Sequence, residues 1–246
     1  MVRIVILLLF FCAGCSTPHF ERQPLVPSSE PTASKTASEI LRTGQLRVLA
    51  SPSEDRVIRL QQYEATIREL GVHRFNFHNV GSVVEALGLR GLEREWDTAT
   101  YDILPGILYT DAKTGRTIGE LDLSVMHKET GDFMMVSEVK TSNNMRGAAS
   151  KANKQLKRFR DTIASDLDIR IRSTAISPIQ FARSQFSNVT QFQKIGSQGA
   201  LTAGFDWEID ISRSEVDRLH MRLKPQKAIP PQNPAKVGKA ASKVAR

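Results

Sequence analysis

Two runs on either side of Thr130-Gly131-Asp132 constrain this chain most. In residues 117–126 (TIGELDLSVM), Leu121, Leu123 and Val125 alternate with Glu120, Asp122 and Ser124. Residues 133–141 (FMMVSEVKT) form a second apolar, β-branched run. Period-two alternation joined by a Gly-containing turn predicts an antiparallel hairpin with one face buried. Such a hairpin cannot stand alone in water and needs further strands or a helix against it. The next segment supplies one. Over residues 147–163 the residues Ala148, Ala152, Leu156, Phe159 and Ile163 form an apolar stripe. Lys151, Lys154, Lys157, Arg158 and Arg160 occupy much of the remaining circumference. That pattern is an amphipathic helix.

Further elements follow from the same reasoning. Ser51-Pro52-Ser53-Glu54 reads as a helix start, with Ser51 as cap and Glu54 closing a capping box. Val57, Leu60, Ile67 and Leu70 continue it at helical spacing, and Gly71 stops it. A second helix is predicted over 82–94 despite Gly88 and Gly91. A strand over 101–109 is expected to break at Pro105-Gly106, and another is expected over 169–176. Residues 205–211 alternate strictly, with Trp207, Ile209 and Ile211 on one face and Asp206, Glu208 and Asp210 on the wet face. The order is helix, three strands, helix, strand, then extra elements at both ends. This is an α/β domain with a mixed central sheet flanked by helices, in αβββαβ order.

The ends read differently. Residues 4–13 are continuously apolar after Arg3, and Cys12-Ala13-Gly14-Cys15-Ser16 follows. Ten residues span about 15 Å as a helix, too short for a bilayer core of about 30 Å. The pattern is that of a signal peptide over 1–14, with an uncleaved signal anchor or a mis-set start codon as the alternatives. The stretch around Cys15 resembles a bacterial lipoprotein cleavage site. That resemblance implies lipid on Cys15, anchoring to the membrane, and a place in the bacterial cell envelope, at the outer membrane or its periplasmic face. Residues 16–38 hold eight Ser/Thr and four Pro in 23 positions, so 15–39 is expected to be a tether. The domain is then 40–223, with its core about 80–180. From Lys224 to Arg246 there are six basic residues and no acidic one. This 224–246 tail is expected to be disordered, either attracting phosphate or anionic lipid or simply solubilising the chain. It accounts for all but +2 of the net charge of +8, so the body is nearly neutral and not built for non-specific DNA coating.

Charged residues stand where the hairpin should be buried. Glu138 and Lys140 are two apart and share a face, and pairing around 130–132 brings Asp122 close to Glu138. Adjacent carboxylates repel unless a positive charge holds them, and a hard divalent cation with oxygen ligands is one solution. Lys140 beside them would position water or neutralise transition-state charge. A cation, an activated water and a nearby ammonium are what metal-assisted phosphodiester hydrolysis needs.

Gly119-Glu120-Leu121-Asp122-Leu123 followed by Ser137-Glu138-Val139-Lys140-Thr141 resembles the PD-(D/E)XK nuclease superfamily, the restriction-endonuclease-like fold. Glu85 in the preceding helix and Gln155 in the following one extend the resemblance, which covers roughly residues 80–180. It implies catalytic roles for Asp122, Glu138, Lys140, Glu85 and Gln155. Asp122, Glu138 and the Val139 carbonyl would bind Mg²⁺ or Mn²⁺. Lys140 would assist the attacking water, and Glu85 would support a water on the metal or a second ion. Gln155 would orient Lys140 or contact substrate. Lys151, Lys154 and Arg158 would touch the phosphates of a nucleic acid, DNA in preference to RNA. The implied activity is an envelope-anchored, metal-dependent nuclease. Two alternatives stay open: a non-catalytic lipoprotein of the same fold that binds nucleic acid or an envelope partner, and a structural lipoprotein in which D…E-x-K is coincidence.

Other chemistries lack their signatures. The five histidines show no H-E-x-x-H or other zinc spacing, and there is no G-x-S-x-G and no Walker loop. Two cysteines exclude a disulfide framework. Glu93 and Glu95 lie near Glu85 as rival acids, and the Lys/Arg helix face is equally a plain solvated surface.

Overall fold

The computed structural model describes residues 43–71, 75–174 and 179–224, all within one compact unit, Ala37–Arg246. The expected signal, Cys15, the tether and the tail beyond Lys224 lie outside the described residues. In chain order the elements are β1 (Gly44–Gln45), α1 (Arg56–Glu69), α2 (Gly81–Glu95), β2 (Tyr101–Asp111), β3 (Thr117–His127), β4 (Phe133–Lys140), α3 (Met145–Ala164), β5 (Ile169–Ser173), β6 (Gln180–Phe181), β7 (Gln191–Gly196), β8 (Trp207–Glu208) and α4 (Arg213–Leu223). The strands form one mixed eight-stranded sheet ordered β1-β8-β7-β4-β3-β2-β5-β6. β2, β3 and β4 run as an antiparallel meander, and β7 lies parallel to β4 on its other side. The run α2–β2–β3–β4–α3–β5 has the expected αβββαβ order.

Helices cover both faces. Met135 and Val136 are consecutive and point oppositely. Met135 joins the core of α1, α2 and α4, whereas Val136 joins Leu156 and Phe159 of α3. The segments flanking the expected core complete the first layer. Leu60, Tyr63 and Ile67 of α1 and Val216, Leu219 and Leu223 of α4 are buried together with α2. β1, paired parallel to β8, joins the N-terminal flank to the C-terminal one.

Several expectations are corrected. The first helix starts later than Ser51: Asp55 is its N-cap, with Oδ1 accepting from the amides of Val57 (2.7 Å) and Ile58 (3.0 Å). A carboxylate capping two amides outcompetes the Ser-Pro signal upstream. Val57 is accordingly on the surface, 62% exposed, and not in the core stripe. β2 does not break at Pro105-Gly106. Register with β3 holds on both sides, Pro105 opposite Leu123 and Ile107 opposite Leu121, because Gly106 absorbs the kink at φ +63°. Gly88 and Gly91 mark close packing on α2. A Cβ on Gly91 would lie 2.4 Å from Leu46 Cγ, and one on Gly88 3.0 Å from Leu123 Cδ1. The alternating segment 205–211 pairs over only two residues. Of its three acids Asp210 is exposed and Asp206 partly so, as expected, but Glu208 is buried, bound by Gln45 Nε2 (3.1 Å) and the Leu201 amide (3.0 Å). Asp206 accepts from the Lys194 amide at 2.7 Å, and Asp210 pairs with Arg59 at 3.4 Å.

Candidate functional site

The site begins with a register shift. Along β3 and β4 the partners run Leu123–Ser137, Ser124–Val136 and Val125–Met135, then Met126–Phe133. Met134 is therefore an extra residue on β4, a β-bulge. Without it the pairing would slip by one and set Asp122 opposite Ser137. Cross-strand partners share a face, so Glu138 would then face away from Asp122. With the bulge, one step beyond the Leu123–Ser137 pair sets Asp122 opposite Glu138.

β3 also changes allegiance here. Leu121 packs in the α3-side core, whereas Leu123 and Val125 pack in the α2-side core. Asp122 lies between them, beside the Gly106 kink of β2. Its Oδ2 accepts from the Val139 amide at 2.7 Å, a bond that takes the place of ladder pairing at this point. Lys140 Nζ bridges the two acids, 2.7 Å from Glu138 Oε2 and 3.2 Å from Asp122 Oδ2. Glu138 is fully buried, and its Oε1 has no hydrogen-bond partner.

Glu85 comes from the second turn of α2. That helix starts where Asn79 Oδ1 accepts from the Gly81 amide at 2.9 Å. A cleft of about 350 Å³ separates this helix start from the sheet, lined by Asn79, Ser82, Glu85, Gly106, Glu120 and Asp122 among others. Thr174 closes its edge, its amide bonded to Gly106 O (2.8 Å) and its hydroxyl to Glu120 Oε1 (3.4 Å). No lysine or arginine lines the cleft among the described residues.

Electrostatics follow from this crowding. Burial, then the charge of Asp122, pushes Glu85 up to about 8 against the pull of Lys140. Glu138 moves the same way for the same two reasons, in that order. Desolvation and Asp122 also raise Glu120. For Lys140 burial favours the neutral amine, but Asp122 and Glu138 outweigh it and hold the ammonium above its ordinary range.

Asp122, Glu138, Val139 and Lys140 are thus brought together, with Glu85 across the cleft from Asp122. Gln155 is half-buried on α3, does not line the cleft, and its side chain makes no hydrogen bond among the described residues. Lys151, Lys154 and Arg158 are exposed on α3 and do not line it either; Arg158 Nη1 donates to Ile118 O at 3.3 Å. The sequence reading passed over Glu120, Asn79 and Thr174 as site residues. For Glu120 a signal existed: it is two residues from Asp122 and so on its face.

A divalent ion can be tested against this donor set. Among the described residues no group of three or more His, Cys, Asp or Glu is arranged to hold a metal. A hard cation would instead have two carboxylates, a backbone carbonyl and water. Among the described residues the buried Glu138 Oε1 has no hydrogen-bond partner, while Asp122 Oδ2 takes both the Val139 amide and Lys140 Nζ. An orphaned buried carboxylate oxygen is costly, and a cation relieves that cost. The residues fit such an ion. No protein-family model matches the chain, and neither a curated protein nor a solved structure shows significant similarity to it.

Proposed function

We propose that this protein is a divalent-cation-dependent phosphodiester hydrolase of the PD-(D/E)XK kind, acting on DNA or RNA and held at the bacterial envelope through lipid on Cys15. The observation that carries the reading is the bulge-set opposition of Asp122 and Glu138 with Lys140 Nζ 3.2 and 2.7 Å from them. Asp122, Glu138 and the Val139 carbonyl would hold Mg²⁺ or Mn²⁺. Such an ion supplies Lewis-acid polarisation of a phosphoryl oxygen and a more acidic water. The chain's own groups do the rest. Lys140 keeps its positive charge beside the reacting centre and offers it as charge builds on the phosphoryl oxygens. Asn79, Ser82 and Glu85 form the wall opposite Asp122 and orient what enters. The Val139 amide fixes the Asp122 carboxylate.

One observation favours a second reading, the same fold binding without turnover: among the described residues no cationic side chain lines the cleft to receive a phosphate. Incubating the full chain with DNA and with RNA, in Mg²⁺, Mn²⁺ or chelator, separates the two. The hydrolase reading expects cleavage with cation only, lost in Asp122→Asn and Glu138→Gln. Retention of nucleic acid without cleavage in any cation would favour the binder.

A further inference from the structure

The α1–α4 seam carries a feature that phosphodiester chemistry does not use. The two helices run side by side, tied by Arg56–Glu215 (3.4 Å) and Arg222–Glu64 (3.2 Å). Among the described residues five large apolar side chains are exposed, and three of them stand on these helices: Val57 (62%), Ile58 (49%) and Met221 (71%). Val57 shares the wall of a cavity of about 160 Å³ with Arg56, Arg218 and Arg222. Met221 lies one helical turn beyond Arg218 on the exposed side of α4. Arg218 makes no ion pair among the described residues, although Glu215, held by Arg56, shares the cavity wall with it. From Arg218 to Arg246 the chain holds eight basic residues and no acidic one.

Exposed aliphatic side chains interleaved with arginines, next to a polybasic segment, match an anionic interface with an apolar interior. A single-stranded nucleic acid would instead call for an aromatic platform, and among the described residues no Phe, Tyr or Trp lines the cavity of this seam. We infer that the α1–α4 face docks on an anionic lipid surface, with Val57 and Met221 entering the headgroup region and Arg218 meeting lipid phosphates. This holds whether or not the cleft cuts nucleic acid.

The test is binding of the full chain to two sets of vesicles, one of phosphatidylcholine alone and one with 30% phosphatidylglycerol. A lipid anchor inserts into both, so the ratio of the two affinities reads the face. One basic residue near an anionic surface is worth about fivefold in affinity. Arg218→Glu changes two charges, so Arg218→Glu/Met221→Glu should lower the anionic-to-neutral ratio by about 25-fold or more. Both positions are exposed and Arg218 is unpaired, so the melting temperature should not move. Substituting Lys227, Lys236 and Lys239 by Gln should lower the ratio less, because they lack the apolar neighbours. The inference is overturned if the wild type shows no anionic preference, or if the double variant keeps the wild-type ratio and the tail variant abolishes it. It is equally overturned if the double variant loses oligonucleotide binding and not vesicle binding.

Discussion

Replacing Glu85 by Gln should make the cation-free protein more stable, and only where the carboxyl would ionise. Glu85 is half-buried beside Asp122 and Glu120, and its pKa is lifted from 4.5 to about 8. The folded state therefore holds a proton that the unfolded chain releases near 4.5. Stability from this group is full below about pH 4.5 and falls as pH rises through 8. A rise of this size would be worth about 5 kcal/mol at most for an isolated, fully buried group. Partial solvent contact and proton sharing with the neighbouring carboxylates reduce this to about 2 kcal/mol at pH 8. Gln keeps the shape and cannot ionise. In a domain of this size, about 2 kcal/mol moves the melting temperature by about 4–8 °C. The assay is thermal unfolding in chelator at pH 4.5 and pH 8. Glu85→Gln should match the wild type at pH 4.5 and melt higher at pH 8. It should also gain less from added Mn²⁺, since a carboxylate kept at a cost to stability is one kept for function. The reasoning fails if Glu85→Gln is less stable than wild type at pH 8, or if the two differ equally at both pH values.

Deleting Met134 removes the bulge and moves Glu138 to the face opposite Asp122; Mn²⁺ binding by calorimetry should disappear while circular dichroism retains the α/β signature. Gly106→Ala places a side chain at φ +63° with its Cβ on Thr174 Oγ1, so it should cost about 2–4 kcal/mol in urea unfolding and weaken the closure of the cleft edge. Cys15→Ser should release the protein from membranes or block its processing, read by fractionation and gel mobility; unchanged behaviour would remove the lipid anchor from the account.

What the sequence disclosed was whatever repeats. The apolar stripe of α3 and the alternation of β3 are periodic, and D…E-x-K lies on elements that periodicity locates. What it hid depends on single residues and on neighbours far along the chain. Met134 looks like any apolar residue of a strand, yet it decides which face Glu138 takes. Pro105-Gly106 reads as a break because a lone strand would break there, whereas pairing with β3 on both sides of the kink, and with β5 from Ile107 on, keeps β2 one strand. Glu208 reads as exposed by alternation, but Gln45 and the Leu201 amide, distant in sequence or on a separate turn, bury and satisfy it. The basic residues of α3 were legible as a charged face. Their distance from the cleft was not, because nothing in a helical period says which end of a sheet the site occupies.

The most direct test compares wild type with Lys140→Ala for Mn²⁺ binding and nucleic-acid cleavage in the same preparation. The substitution leaves Asp122, Glu138 and the Val139 carbonyl in place, so Mn²⁺ should still bind. It removes a charge needed as the transition state forms, and the loss of one such group costs about 10²–10³ in rate. Retained Mn²⁺ binding with cleavage reduced by that factor is the predicted result. Equal cleavage by the two proteins, or none by the wild type in any cation, would contradict the account.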